Sequence, residues 1–279
     1  MAWLGRNWFR GKTVLVTGAS SGIGRATALQ FARSGAQLVL AARRARLLDE
    51  LAGETGELGA KSIVVPTDVT RRVSVRACFR KAVQAFGGVD VVVNNAGVLI
   101  PSRVVAARPQ DLQAMLDVNL FGAMYVMQEA VAAMRSRGGG NIVNVASLAG
   151  RRGFSPLGAY CATKFGLIGM TETLRTELSG EPIRLSLVLP GVVDTPMAEA
   201  ATSSPEARDA WPRALNLSPE SVARTILLAA RFDLVEVSVP PGAAALEKIA
   251  ALAPGTTDQV LRWATGAAQR ISRRLRSGD

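Results

Sequence analysis

The sequence predicts an α/β fold: a doubly wound, seven-stranded parallel sheet with helices on both faces, followed by a helical C-terminal extension. Three observations predict it. Short, β-branched apolar runs alternate with helical patterns along most of the chain. A glycine-rich turn joins the first apolar run to the first helical pattern. The alternation ends at Pro240-Pro241-Gly242, and only helical patterns follow.

Apolar runs at 14–16, 38–41, 63–65, 91–93, 142–145, 185–189 and 235–239 are short and bounded by turn residues, as strands buried on both faces are. Helical patterns lie between them, at 25–34, 47–53, 73–86, 110–137, 157–178 and 220–230. Pro109 and Pro219 stand where a first helical turn tolerates proline, and Ser218 is a candidate cap. Such alternation needs right-handed crossovers, and these produce a parallel sheet covered on both sides.

The stretch 194–216 has no strong period and contains Pro196, Pro205 and Pro212. A loop of that length in a compact domain is usually functional, so it is read as a substrate-side lid. Val192, Val193, Met197, Ala200, Ala201, Trp211 and Leu215 give the lid an apolar character, with Gly153, Phe154 and Leu157 as the opposite wall. Helical patterns at 243–253 and 257–276 close the chain. The second sets Val260, Leu261, Trp263, Ile271 and Leu275 against Arg262, Arg270, Arg273, Arg274 and Arg276, a basic amphipathic helix. The expected division is an α/β domain over 1–242 and a basic helical extension over 243–279.

Composition narrows the function. The chain has 279 residues, 48% of them hydrophobic, enough for one α/β core with an appendage. It contains no histidine, which excludes Ser-His-Asp and Cys-His catalysis and any histidine-ligated metal. Its two cysteines, Cys78 and Cys161, fall in helical patterns. They cannot make an ordinary zinc site, and they fit a reducing compartment better than a disulfide framework. No metal is expected.

The net charge is +11. It fits solvated arginine-rich helix faces, an anionic cofactor or an anionic surface, although a cofactor alone needs only a few cations. Nucleic acid is not an expected partner, since no recognition motif or aromatic-lined basic groove is present. No stretch reaches the roughly 18 apolar residues of a membrane span, and residues 1–10 lack a signal-peptide core. The expected location is the cytoplasm.

Thr17, Gly18, Ala19, Ser20, Ser21, Gly22, Ile23 and Gly24 lie between the first strand and the first helix. A turn of this kind aims backbone N–H groups at a phosphate on the positive end of the helix. Its glycines serve the tight turn, the close approach of pyrophosphate, and helix–strand packing. Ligands of such sheets bind beyond the carboxyl ends of the strands. Two further features sit there. Tyr160 and Lys164 are four apart at the start of a long helix, so they share a face. A phenol is a poor acid–base group at neutral pH, but a nearby ammonium favours its ionised form. Ser147 follows the fifth strand directly, where its hydroxyl can hold a carbonyl oxygen for protonation.

With these three features in this order and spacing, the chain from about residue 10 to 240 resembles the short-chain dehydrogenase/reductase family. The resemblance implies a Rossmann fold and assigns further residues. Thr17 to Gly24 is similar to the family's cofactor turn. Asn94-Asn95-Ala96-Gly97 matches its signature after the fourth strand, with Asn95, Ala96 and Gly97 bordering the cofactor. Asp68 and Val69 match the pair beside the adenine. Asn119 matches the helix asparagine that supports a proton relay through water to the lysine. Ser147, Tyr160 and Lys164 complete the catalytic tetrad, with Tyr160 and Lys164 also touching the cofactor. Pro190 and Gly191, with Val193 and Thr195, resemble the segment around the nicotinamide amide.

The implied reaction moves hydride between a nicotinamide cofactor and a carbonyl or alcohol substrate. Ser147 orients the oxygen, Tyr160 gives or takes the proton, and Lys164 holds the nicotinamide ribose and stabilises the phenolate. NAD-selective members carry an acidic residue near the position of Ala42. Here Ala42 is followed by Arg43 and Arg44, which suit a 2′-phosphate, so NADP(H) is favoured over NAD(H). The apolar lid favours an apolar ketone, aldehyde or acyl substrate.

The competing class, a non-catalytic cofactor-sensing regulator, usually lacks the tyrosine or the lysine, and this chain keeps both. A homodimer through the two long helices or a homotetramer is expected, and the long tail counts against the tetramer. The tail helix either docks on the inner face of the membrane, where Trp3, Leu4, Trp8 and Phe9 could assist, or covers the substrate mouth, or packs on its own domain. Membrane docking would suit a membrane-peripheral lipid-processing reductase.

Overall fold

Each predicted apolar run forms a strand: β1 (Thr13–Thr17), β2 (Gln37–Ala42), β3 (Ser62–Pro66), β4 (Val91–Asn94), β5 (Gly140–Val145), β6 (Ile183–Pro190) and β7 (Glu236–Val239). All pairs are parallel, and the order is β3-β2-β1-β4-β5-β6-β7. The chain winds outward from β1 in both directions, so the crevice between β1 and β4 is the topological switch point. The computed structural model describes residues 7–201 and 216–243, with Leu252, Gly255 and Gln259. Of the expected helical patterns 243–253 and 257–276 only Ala243, Leu252 and Gln259 are among the described residues; residues 202–215 of the loop, and Trp3 and Leu4, lie outside them.

Alternation along the strands fills both faces. Val14, Val16, Leu38, Leu40, Val91, Val93, Val143 and Val188 point to one side, against Phe31 of α1 (Gly22–Arg33), Leu48 and Leu51 of α2 (Ala45–Glu57) and a last helix over Pro219–Phe232. Leu15, Val39, Val92, Ile142, Leu185 and Leu187 point to the other, against Val75 and Phe79 of α3 (Arg72–Phe86) and two long helices. Double burial is why the strands read as continuous apolar runs.

Two of the predicted helical patterns differ in the structure. α2 runs to Glu57 rather than ending near Gly53. Thr55 is buried and bonds Ala52 O and Ser62 Oγ, so packing carries the helix through the glycine. The pattern at 110–137 is not one helix. α4 (Pro109–Leu116) passes into a π turn over Asp117–Gly122 before α5 (Ala123–Arg137). Such wide turns cluster at functional sites, and this one contains Asn119. α6 (Gly158–Glu177) keeps the expected length, and the short α7 covers Pro196–Ala201. α8 (Pro219–Phe232) is capped as expected, Ser218 Oγ accepting from Ser221 N–H at 3.2 Å.

The membrane role considered for Trp8 and Phe9 is not supported by their packing. Phe9 is buried edge-on against Phe31, centroids 4.8 Å apart, and Trp8 packs on Phe232 at 5.6 Å. Both rings close the bottom of the domain. No helix among the described residues is long and apolar enough to cross a membrane.

Candidate active site

The glycine turn is built by close approach. Gly18 has φ of +66°, and a Cβ there would stand 2.9 Å from Asn95 Nδ2. A Cβ on Gly24 would stand 2.3 Å from Gly18 O, so any side chain would push helix from turn. Thr17, at the end of β1, ties the turn to β4. Its hydroxyl accepts from Asn95 N–H and Ala96 N–H, each at 3.0 Å, and its carbonyl accepts from Asn95 Nδ2 at 3.0 Å. A cleft of about 300 Å³ opens here. It is lined by Gly18, Ser20, Ser21, Gly22 and Ile23, by Arg43 and Arg44, by Asp68 and Val69, by Asn95, Ala96 and Gly97, and by Thr195.

The charges of the cleft differ in their partners. Arg44 donates to Ser20 Oγ at 2.9 Å and to Ser21 Oγ at 2.8 Å, so the turn's own hydroxyls hold its fork in the cleft. Arg43 is exposed on the cleft wall. Asp68 Oδ1 accepts from both the N–H and the hydroxyl of Thr70.

A second cavity of about 220 Å³ adjoins the first. Its walls are Leu99, Leu148, Ala149, Phe154, Pro156, Leu157, Val192, Val193, Met197 and Ala198, with Ser147, Tyr160, Pro190, Gly191 and Thr195. Phe154, Leu157, Val192, Val193 and Met197 were expected there. Gly153 is not among the lining residues. The loop 194–216 is closed at its base, where Val193 pairs with Leu217 and Asp194 N–H donates to Leu217 O at 2.9 Å.

Ser147 caps a 3-10 turn over Leu148–Gly150, two residues beyond β5. Its Oγ accepts from Ala149 N–H at 3.1 Å, donates to Pro190 O at 3.4 Å and is hydrogen-bonded to Tyr160. Burial pushes the Tyr160 phenol up to about 12, against a smaller lowering by Ser147. The lowering expected from Lys164 is therefore not what this geometry gives. The ammonium lies 5.7 Å from the Tyr160 ring centroid, and burial pushes it down to about 8. Its Nζ donates to Val145 O at 3.1 Å.

Asn119 is buried with its amide fully engaged. Nδ2 donates to Val98 O at 2.9 Å and to Thr163 Oγ1 at 3.0 Å, and Oδ1 accepts from Val98 N–H at 2.8 Å. It locks the end of β4 to α6.

A family model for short chain dehydrogenase matches residues 12–206. The chain belongs to the short-chain dehydrogenase family. It is similar to the uncharacterized oxidoreductase YxnA of Bacillus subtilis, 37% identical over 90% of this chain and 71% of that one. It is also similar to the 3-oxoacyl-[acyl-carrier-protein] reductase FabG of Thermotoga maritima, 39% identical over 79% of this chain and 90% of that one. A solved short-chain dehydrogenase/reductase from Burkholderia phymatum in complex with NAD superposes with a TM-score of 0.78 at 30% identity, over 86% of this chain and 92% of that one. This short-chain dehydrogenase is thus an oxidoreductase of a family that binds a nicotinamide cofactor, and its cleft fits such a group. A glycine cradle closed to any Cβ, backbone at the strand ends and two arginines suit a dinucleotide.

Two positioning residues of this short-chain dehydrogenase escaped the sequence reading. Asn144 sits inside β5, where its Oδ1 accepts from Asn94 Nδ2 at 2.9 Å and its Nδ2 donates to Thr171 Oγ1 at 2.9 Å. Thr163 couples Asn119 to α6. The signal for Asn144 is a lone amide in an apolar run, which must find partners if buried. Cys78 and Cys161 are buried free thiols.

Proposed function

We propose that this chain is an NADPH-dependent reductase of apolar ketones, aldehydes or acyl carbonyls, able to run in reverse as an alcohol dehydrogenase. The observation that carries this reading is the junction of two cavities. The apolar one, with Ser147 and Tyr160 in its wall, shares Ile23, Thr195 and Met197 with the glycine-turn cleft.

Gly18 to Gly24 would hold the pyrophosphate, Asp68 and Val69 the adenine, and Asn95 to Gly97 with Pro190, Gly191, Val193 and Thr195 the nicotinamide half. When bound, a reduced nicotinamide supplies hydride. In this reading the substrate oxygen lies between Ser147 Oγ and the Tyr160 phenol, and Tyr160 gives it a proton. Burial keeps the phenol protonated, the form that donates, but makes it a weaker acid; the Lys164 ammonium is what would favour giving the proton up. Lys164 holds the ribose hydroxyls and, as an ammonium, offsets the phenolate left behind. Asn119 spends its amide on Val98 and Thr163, so it would hold the relay water through the backbone of the π turn.

The Burkholderia relative was solved with NAD, so membership does not choose the cofactor. The preference for NADPH rests on Ala42, Arg43 and Arg44. The acyl alternative draws on the FabG relative and on the apolar cavity. We further propose a homo-oligomer through the long helices, where Phe121 and Phe165 are exposed, and a cytoplasmic location.

The test is coenzyme oxidation, NADPH and NADH in parallel, over short, aromatic, steroidal and long-chain carbonyls, with Tyr160→Phe beside the wild type. Turnover with NADPH that collapses in Tyr160→Phe supports the reading. Tight NADPH binding without turnover in either direction promotes the regulator.

A further inference from the structure

The turn that carries Ser147 is fastened by a residue outside both cavities. Gly150 approaches α6 so closely that a Cβ would stand 2.8 Å from Lys164 O and 2.6 Å from Ile168 Cδ1. The next residue, Arg151, donates from Nη2 to Glu172 of α6 at 2.6 Å and, from the same nitrogen, to Glu236 of β7. Tyr160, Lys164, Ile168 and Glu172 are each four apart, so they form one stripe along α6. The turn is therefore seated on that stripe at Lys164 and Ile168 and clamped to it at Glu172. Its other end meets Tyr160 and Pro190 through Ser147.

The clamp is partly withdrawn from water. The Arg151 side chain is 20% exposed and that of Glu236 14%. Arg151 Nε is buried without a hydrogen-bond partner. An ion pair in such surroundings gives little net stability, because desolvation offsets most of the attraction. A planar guanidinium shared between two carboxylates does fix direction. This one links the turn that carries Ser147, helix α6 and the edge strand β7.

We propose that Arg151 is a positioning residue: by spanning Glu172 and Glu236 it holds the 147–151 turn in register with α6 and sets the contact between Ser147 and Tyr160. The proposal rests on the reading of Ser147 and Tyr160 as the reacting pair. Reacting groups displaced by about 1 Å can lose 100-fold in rate, so kcat should fall by roughly 10- to 100-fold in Arg151→Gln. The KM for NADPH should not change, since Arg151 does not line the cofactor cleft.

The deciding experiment needs no turnover. Tyr125 and Tyr160 are the two tyrosines of the chain. An isotope label at tyrosine Cζ therefore gives two NMR resonances, which Tyr125→Phe assigns. In full-length protein, Arg151→Gln should move the Tyr160 resonance and leave Tyr125 in place. Glu172→Gln, altered at the more exposed partner, should move it less in the same direction, and Arg151→Lys should fall between Arg151→Gln and wild type. A Tyr160 resonance at its wild-type position in Glu172→Gln overturns the proposal, whether Arg151→Gln folds with an unmoved resonance or fails to fold. Wild-type protein that reduces no carbonyl counts against the reductase reading instead, and the resonances still judge the clamp.

Discussion

Lys164 Nζ donates to the carbonyl oxygen of Val145 at 3.1 Å, joining α6 to the last residue of β5. The ammonium is buried there with its usual value of 10.5 pushed down to about 8 by desolvation. The protein thus holds a charge where water is scarce, beside the group that charge would serve.

That cost has a pH signature. Between about 8 and 10.5 the unfolded chain keeps the Lys164 proton and the folded chain releases it, so this group makes stability rise with pH. Below about 8 both states are charged and its cost is constant. Tyr160, pushed up to about 12, and Cys78, pushed up to about 11, act with the opposite sign above their ordinary values. Both remain in Lys164→Met and largely cancel in the difference. The variant's stability relative to wild type should therefore be most favourable below pH 8. It should decline by up to about 1.4 kcal/mol per pH unit toward pH 10. Urea midpoints across that range measure it, and parallel curves would show that Lys164 is not desolvated.

Two glycine-to-alanine changes should have opposite signs. In Gly24→Ala the new Cβ meets Gly18 O at 2.3 Å and Asn95 Nδ2 at 2.7 Å. Backbone cannot yield cheaply, so a loss of about 2–3 kcal/mol is expected, with NADPH affinity reduced. Gly53→Ala on α2 meets nothing within 4 Å and should gain up to about 1 kcal/mol. Thermal unfolding of both variants checks the pair, and equal effects would contradict the close approach.

Most of the fold was legible because its strands are buried on both faces. Val14, Leu15 and Val16 are apolar regardless of direction, and the turn residues between runs mark the crossovers. The candidate site was legible where a fixed spacing brings two side chains together, as with Tyr160 and Lys164 on α6. It was not legible where a role depends on what folding brings together. The π turn at Asn119 leaves no mark in a periodic pattern. The phenol's upward shift depends on how deeply Tyr160 is buried, which a spacing of four does not contain. Asn144 and Arg151 gain partners from other elements, at sequence distances no local pattern spans.

The asparagine pair across β4 and β5 should behave as one unit. Asn94 Nδ2 donates to Asn144 Oδ1 at 2.9 Å and to Ala123 O at 3.0 Å, all buried. Asn94→Leu removes the donor to Asn144 Oδ1, and Asn144→Leu removes the acceptor of one Asn94 N–H and the donor to Thr171 Oγ1. Each single change should cost about 2–3 kcal/mol. The double variant should cost less than their sum, by about 0.5–3 kcal/mol. A urea-unfolding cycle measures the coupling, and strict additivity would mean that the two amides do not support each other.

Cofactor choice should divide unequally between Arg43 and Arg44. Arg44 is already held by the hydroxyls of Ser20 and Ser21, so little freedom remains to be lost when an anion arrives. Arg43 is exposed on the cleft wall and must be ordered at that moment. A charge-assisted hydrogen bond contributes about 1.5–3 kcal/mol, which corresponds to roughly 10- to 150-fold in affinity. Arg44→Ala should therefore weaken NADPH at the upper end of that range and Arg43→Ala at the lower end, with NADH nearly unchanged in both. Ala42→Asp should reverse the preference by placing a carboxylate where a ribose 2′-hydroxyl would donate. Fluorescence titration with both coenzymes measures each term. Equal losses of NADH and NADPH affinity would mean that the arginines hold the turn rather than read the phosphate, and the NADPH assignment would fall.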